Sequence, residues 1–321
     1  MRVIRRLLLA LVLVPASTAA FAQAYPSKPI RVIVPFPAGG TMDTLIRLLG
    51  PEVTRNLGQP LVVESKPGAS SVIGVDAAAK AKPDGYTYVL VGPSFSTNAT
   101  LVPRLPYDSL RDLQPVGLLA VTPQVLVANP KVAANSLEEL VGLLKQNPDM
   151  LTYASFGNGT TSHLAGEQFK RAAGVSIVHV PYKGLALAIN ELIAGHVDLM
   201  FGNLSEYLPN IRSGKLKAYG VTSLQRARPA PEIPTFAEQG YPGFETSSWY
   251  GMLAPAAVPK EIVTRFNSAM NAALAHAETR DTLIKRRLDP LGGSPEEFGE
   301  FLRAEITRSA QVIREAGIKP D

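Results

Sequence analysis

The stretch Val32-Ile-Val-Pro-Phe-Pro-Ala-Gly-Gly-Thr-Met-Asp-Thr-Leu-Ile-Arg47 carries the strongest signal in the chain. Its apolar start predicts a buried strand over 30–34, and Gly39-Gly40 predicts a sharp turn into a helix. Two glycines let the backbone approach a neighbour with no Cβ in the way. The helix start that follows leaves unpaired N–H groups and a partial positive charge facing the turn. Such a place binds anions, carboxylates included. Alone, the segment also fits an ordinary βα corner. The same plan recurs, however. Leu151 to Ser155 predicts a strand, Phe156-Gly-Asn-Gly-Thr-Thr161 a glycine-rich turn, and Ser162 to Ala173 a helix.

Outward from the first turn, Leu45, Leu48, Leu49, Val53 and Leu57 recur at helical spacing, and Gly58 with Pro60 closes that helix. Strand 61–63, loop 66–71, helix 72–82 and strand 86–91 follow, the last ending in a polar loop, Gly92-Pro-Ser-Phe-Ser-Thr97. This β-α-β-α-β order opens a parallel sheet. Residues 114–129 give two apolar segments broken by Pro123, taken as a first crossing between lobes. Ser136-Leu-Glu-Glu139 is a capping box ahead of a helix. After the second glycine turn the alternation continues: strand 176–180, helix 185–194, strand 197–201, helix 204–213 and strand 216–221. Residues 247–253 are the return crossing, and the remainder is helical, with a capping box at Ser294-Pro-Glu-Glu297. The expectation is an α/β protein of two lobes, each an open, mostly parallel sheet. Residues 25–124 plus 250–321 form one lobe and 125–249 the other. The cleft lies at the carboxyl ends of the strands, where ligands of open α/β folds bind.

The first 24 residues have an n-region with Arg2, Arg5 and Arg6, an apolar run from Leu7 to Val14, and an Ala22-Gln23-Ala24 cleavage site. They are expected to be a secretory signal peptide cleaved near Ala24, which places the mature chain in the periplasm. Of 321 residues, 46% are hydrophobic and 18% charged, the balance of a folded globular protein. The formal charge of +5 falls to +2 once the three leader arginines are removed. No basic run is interleaved with aromatics, so nucleic acid is not an expected partner. The absence of cysteine excludes disulfides, thiolate metal sites and cysteine nucleophiles.

Enzyme signatures fail in turn. The chain lacks G-x-S-x-G, H-E-x-x-H and the P-loop pattern. Gly157-Asn-Gly159-Thr-Thr-Ser162 has only two glycines of a dinucleotide fingerprint, and the next strand lacks the ribose-binding acid. His163, His179, His196 and His276 suit no standard zinc spacing, and no Ser–His spacing argues for a hydrolase. No cofactor and no metal are expected. Some residues stay open between two readings. His163 either donates to an anion at the second helix start or bonds nearby backbone. Asp43 either braces its loop or accepts from a ligand. Thr160, Thr161 and Ser162 are caps that also suit ligand donation.

Several ordered motifs resemble one family. They include Pro35-Phe-Pro-Ala-Gly-Gly-Thr-Met-Asp43, Lys66-Pro-Gly-Ala69, Pro83-Asp-Gly-Tyr86 and Gly157-Asn-Gly-Thr-Thr-Ser-His-Leu164. His179-Val-Pro-Tyr-Lys-Gly184, Gly195-His-Val-Asp198, Pro234-Thr-Phe-Ala-Glu238 and Trp249-Tyr-Gly251 complete the set. The chain resembles, from about Tyr25 to its end, the Bug or TctC-like solute-binding receptors of tripartite tricarboxylate transporters. That resemblance implies a type II periplasmic-binding-protein fold closing around a small carboxylated ligand: a dicarboxylate, a tricarboxylate, an acidic amino acid or an aromatic acid. It implies ligand contacts from Gly39, Gly40, Thr41, Asp43, Ser94 and Phe95 in the first lobe. Ser155, Gly159, Thr160, Thr161, His163 and Asn203 are the second-lobe counterparts. One departure stands out: Thr41-Met42 fills a gap that small residues often occupy in the family, and bulky Met42 either lines the pocket or packs under the helix. The partner implied is a set of membrane transporter subunits, with a two-component sensor kinase as the alternative, and a monomer is expected.

Overall fold

The computed structural model describes residues 25–319, so the signal-peptide reading lies outside the described residues. In chain order the first part comprises β1 (Ile30–Val34), α1 (Thr41–Leu57), β2 (Leu61–Ser65), α2 (Val72–Ala79), β3 (Thr87–Val91), α3 (Pro93–Leu101) and β4 (Leu113–Ala128). There follow α4 (Leu137–Gln146), β5 (Thr152–Ser155), α5 (Thr161–Ala173), β6 (Val178–Pro181), α6 (Leu185–Ala194), β7 (Leu199–Asn203), α7 (Leu204–Arg212) and β8 (Lys217–Val221). The chain closes with β9 (Ser247–Pro255), α8 (Lys260–Ala275), α9 (Ala277–Lys285), β10 (Asp289–Pro290) and α10 (Pro295–Glu315).

Why these residues form these elements is clearest at β1. Val32 and Val34 pack into a core with Leu45, Leu49 and Phe266, while Ile33 packs on the opposite face with Val89, Phe95 and Trp249. A strand covered on both faces needs apolar residues at every position, hence the continuous run. Helix α1 buries Leu45, Ile46, Leu49, Val53 and Leu57 along one stripe, and Gly58 ends it in the left-handed conformation at φ 75°. The capping boxes form as expected. Ser136 Oγ accepts from the Glu139 N–H, and Ser294 and Glu297 cap each other reciprocally.

Two expectations need correction. The strands form one ten-stranded sheet, with the order β2-β1-β3-β9-β4-β7-β5-β6 and with β8 and β10 also on β4, rather than two mostly parallel sheets. The β1–β2, β1–β3, β5–β6 and β5–β7 pairs are parallel, as βαβ crossovers dictate. Every pair involving β4 or β9 is antiparallel, so the sheet is mixed. Residues 114–129 are likewise one strand, not two. Pro123 is where the partner changes: it is the last β4 residue opposite β9, and Gln124 is the first opposite β7. Proline lacks the N–H a ladder needs, so it fits where one ladder gives way to another.

The polar loop expected at 92–97 is also wrong. Pro93 starts helix α3, and Phe95, Ser96, Thr97 and Asn98 are buried in it. Proline is suited to the first turn of a helix, where its missing N–H would be unpaired anyway. Beyond Pro123, the packing belongs to separate clusters: Leu126, Phe169 and Phe201 on one face, Val125, Val127, Met200 and Tyr207 on the other.

Candidate functional site

The helix starts of α1 and α5 open onto one cavity of about 590 Å³, within the usual range for small-molecule sites. The two approaches to it are built alike. Gly39 and Gly159 both take positive φ, 84° and 67°, a region that disfavours side chains. The cap residues Gly40 and Thr160 are extended, and no side chain caps either helix. The first helical bonds match as well, Thr44 N–H to Gly40 O and Leu164 N–H to Thr160 O, each at 2.9 Å. First-turn N–H groups of each helix therefore remain available to whatever enters.

Each loop is fixed by a side chain four residues beyond its glycine. The Gly39 N–H donates to Asp43 Oδ2 at 3.0 Å, and Arg47 Nε donates to the same carboxylate at 3.0 Å. These two donors, Arg47 first, hold the Asp43 carboxyl below its usual range. The Gly159 N–H donates to His163 Nδ1 at 3.2 Å, and the His163 ring stacks on His179 with centroids 3.8 Å apart. Asp43 and His163 both brace their own loops, and Asp43 also lines the cavity.

Gly40, Thr41, Asp43, Ser94, Gly159, Thr160, Thr161 and Asn203 line the cavity together. The other expected residues do not reach it. Gly39 turns its N–H to Asp43. Phe95 is fully buried and stacked near Tyr107, with centroids 6.2 Å apart. Ser155 is fully buried and bonded to His179 Nε2 at 2.7 Å. His163 sits behind its loop. Ser162 is inward as well, donating to Phe201 O at 2.6 Å. Met42 does both things asked of it: it is 7% exposed, belongs to the core below α1, and still shows a surface to the cavity. A Cβ on Gly92 would lie 2.8 Å from Met42 Cε, so the glycine makes room for the methionine.

The fold does bring one Ser–His pair together, Ser155 with His179. Burial, then the neighbouring His163, pushes the His179 pKa down to about 4, and the serine faces no cavity. It is a structural pair.

Sequence reasoning missed an acid. Glu206, in the first turn of α7, lines the cavity beside Asn203, Ser248 and Tyr250. Ser248 Oγ donates to Asn203 Oδ1 at 2.7 Å, and Asn203 Nδ2 donates to Glu206 Oε1 at 3.1 Å. Burial raises the Glu206 pKa. The signal was present as Asn203-Leu-Ser-Glu206, a cap residue with an acid three positions on at a strand's end. Among the described residues no lysine, arginine or histidine lines the cavity; its apolar walls include Phe36, Met42, Leu101, Phe156 and Leu185.

Among known proteins, Protein BugT of Bordetella pertussis (strain Tohama I) is 38% identical over 300 residues, 93% of this chain and 92% of BugT. The solved structure of the periplasmic binding protein BugD is 35% identical with TM-score 0.75, covering 92% of this chain and 100% of that one. R. palustris Rpa4515 with adipate gives 35% identity and TM-score 0.78 over 92% of this chain and all of that one (100%). MatC (Rpa3494) from Rhodopseudomonas palustris with bound malate gives 31% and 0.74 over 90% of this chain and 100% of MatC. The fold is thus that of the α/β periplasmic binding proteins, and the family is one of binding proteins, not enzymes. Residues 45–318 match the TctC family, described as "Tripartite tricarboxylate transporter family receptor", and the chain belongs to that family of solute-binding receptors.

Proposed function

We infer that the protein is exported to the periplasm, closes around a small carboxylated ligand, and delivers it to a tripartite tricarboxylate-type membrane transporter. One observation carries this: two helix N-termini, neither capped by a side chain, converge on a single cavity with no basic side chain in its lining among the described residues. Backbone amides and helix dipoles then supply the positive potential that a carboxylate needs. The hydroxyls of Thr41 and Thr161 line the same cavity as further donors, while that of Thr160 donates to Gly157 O at 2.6 Å and that of Ser94 pairs with Ser71. Relatives whose structures hold adipate and malate support a carboxylate as the ligand class.

Closure follows from a two-lobe reading, with residues 25–124 plus 250–321 in one lobe and 125–249 in the other. The partner change at Pro123 and the separate packing clusters on its two sides support that division. A ligand touching both helix starts binds the closed form better than the open one, and this differential affinity drives closure.

The test is a thermal-shift and calorimetry panel of di- and tricarboxylates, amino acids and aromatic acids on the mature protein. At least one acid should raise the melting temperature, and the rise should grow with ligand excess. The stabilisation expected at a hundredfold excess over Kd is about 2.7 kcal/mol. A panel without any shift or heat would sink the reading.

A further inference from the structure

We propose that Glu206 sets the chemistry of the ligand's second polar group. The cavity takes a carboxylate that also carries a hydrogen-bond donor, an ammonium or hydroxyl group, and disfavours a second ionised carboxylate there. This rests on the carboxylate-receptor reading above and narrows it.

Among the described residues two acids line the cavity, Asp43 and Glu206, and they differ in what surrounds them. Asp43 is satisfied: it takes the Gly39 N–H and the Arg47 guanidinium. Glu206 has no basic partner among the described residues. Its Oε1 accepts from Asn203 Nδ2 at 3.1 Å, while Oε2 is buried with no hydrogen-bond partner. A buried carboxylate oxygen without a donor is costly. Burial raises the pKa of this group, against the lowering effect of Asn203, its hydrogen-bonding neighbour.

Its position completes the argument. Tyr250 lines the same cavity as Thr41 at the start of α1 and as Glu206, whose charge it feels. A ligand carboxylate held at the helix starts therefore shares one cavity with Glu206, and the walls of that cavity include apolar Phe36, Met42 and Leu185. At 590 Å³ the cavity is larger than a carboxylate alone requires. A terminal ammonium or hydroxyl gives Glu206 a donor. A terminal carboxylate places like charge beside it, with no cation in the lining to offset it.

The experiment uses matched acids that differ only at one end: a carboxylate joined through three methylenes, five methylenes or a benzene ring to an aminomethyl, hydroxymethyl or second carboxylate group. Calorimetry is run on the mature wild type and on Glu206→Gln. In the wild type, the amino or hydroxy member of the best-fitting series should bind about tenfold or more tighter than its dicarboxylate. Glu206→Gln should shrink that ratio by a similar factor, by weakening the donor ligand and strengthening the dicarboxylate. A wild type that prefers the dicarboxylate overturns the proposal without reference to any variant. So does a folded Glu206→Gln protein with an unchanged ratio. Silence from every series and from the wider acid panel overturns the carboxylate-receptor reading itself, and this assignment with it.

Discussion

The loop ahead of α1 and the loop ahead of α5 share a backbone plan: a left-handed glycine, an extended cap residue, then a helix whose third residue reaches back to accept the glycine N–H. The braces differ. The first is a carboxylate beside a helix N-terminus, tied to Arg47, whose side chain is 57% exposed. The second is an imidazole nitrogen, its ring stacked on a second imidazole and on the protein interior. A carboxylate brace adds negative charge where an anion is meant to sit, whereas an imidazole accepting through Nδ1 adds none. The α5 jaw therefore keeps the fuller helix field, and the α1 jaw is the one an anionic ligand meets with part of its field cancelled.

The sharpest way to break this comparison is to add one carbon to each turn. A Cβ on Gly39 meets nothing within 4 Å, whereas a Cβ on Gly159 lies 2.3 Å from Leu101 Cδ1 across the cavity. Both glycines have positive φ, for which an L-residue costs roughly 1–2 kcal/mol. Gly39→Ala should lose about that much in urea unfolding. Gly159→Ala should lose more, because Leu101 must also move, and it should weaken ligand binding as well, because Leu101 lines the cavity. Equal losses would show that the two turns do not differ in how tightly they face the rest of the site.

Next in size are the braces themselves. Asp43→Ala leaves the Gly39 N–H without its acceptor, at a cost on the order of 1–3 kcal/mol. Asp43→Asn retains an acceptor and removes the charge, so it should cost less. It should also tighten a carboxylate ligand by a few-fold, given the roughly 0.3–1 kcal/mol of a charge at a helix end. Calorimetry on Asp43→Asn that shows weaker carboxylate binding would mean the brace does not compete with the ligand.

How much of this was visible in the sequence depends on the kind of residue. The glycine turns, their helices and the apolar stripe of α1 were legible because each is a local event, set by φ preferences and periodicity over a few residues. The run 113–128 was not, because proline there looks like a break until both flanking ladders are known. Helix α3 was hidden by Ser94, Ser96 and Thr97, whose hydroxyls suit a loop as well as a buried helix. Within the site, Thr160 and Thr161 were found by the same local logic, as residues at a helix start, whereas Thr41 came from the resemblance. Phe95, Ser155 and His163 were placed at the ligand by resemblance, but they are not among the residues that line the cavity, since the direction of a side chain depends on neighbours far away in the chain. Glu206 escaped for the opposite reason. It occupies an ordinary capping position, and its isolation from any cation is a fact of three dimensions.

The smallest effect concerns acid sensitivity, and it tests the two braces separately. Asp43 has a lowered pKa in the fold, so its contribution is present above the unfolded carboxylate value and is lost as pH falls through the folded one. His179, which supports the His163 ring, is depressed from 6.5 to about 4, chiefly by burial. Between those values the unfolded chain binds a proton that the folded chain does not, so stability contributed at this ring is complete above 6.5 and is lost as pH falls toward about 4. The ring is partly exposed, so solvent screening keeps the step small. The two loops should thus fail in sequence on acidification, the α5 side first and the α1 side at lower pH. Urea unfolding of His179→Gln across this range should show a flatter profile between 6.5 and 4 than the wild type, with the more acidic part unchanged. Asp43→Asn should flatten only the acidic part. If His179→Gln keeps the wild-type slope throughout, the imidazole pair is not what makes the second loop sensitive to acid, and the contrast between a charged brace and a neutral one would rest on the Asp43 side alone.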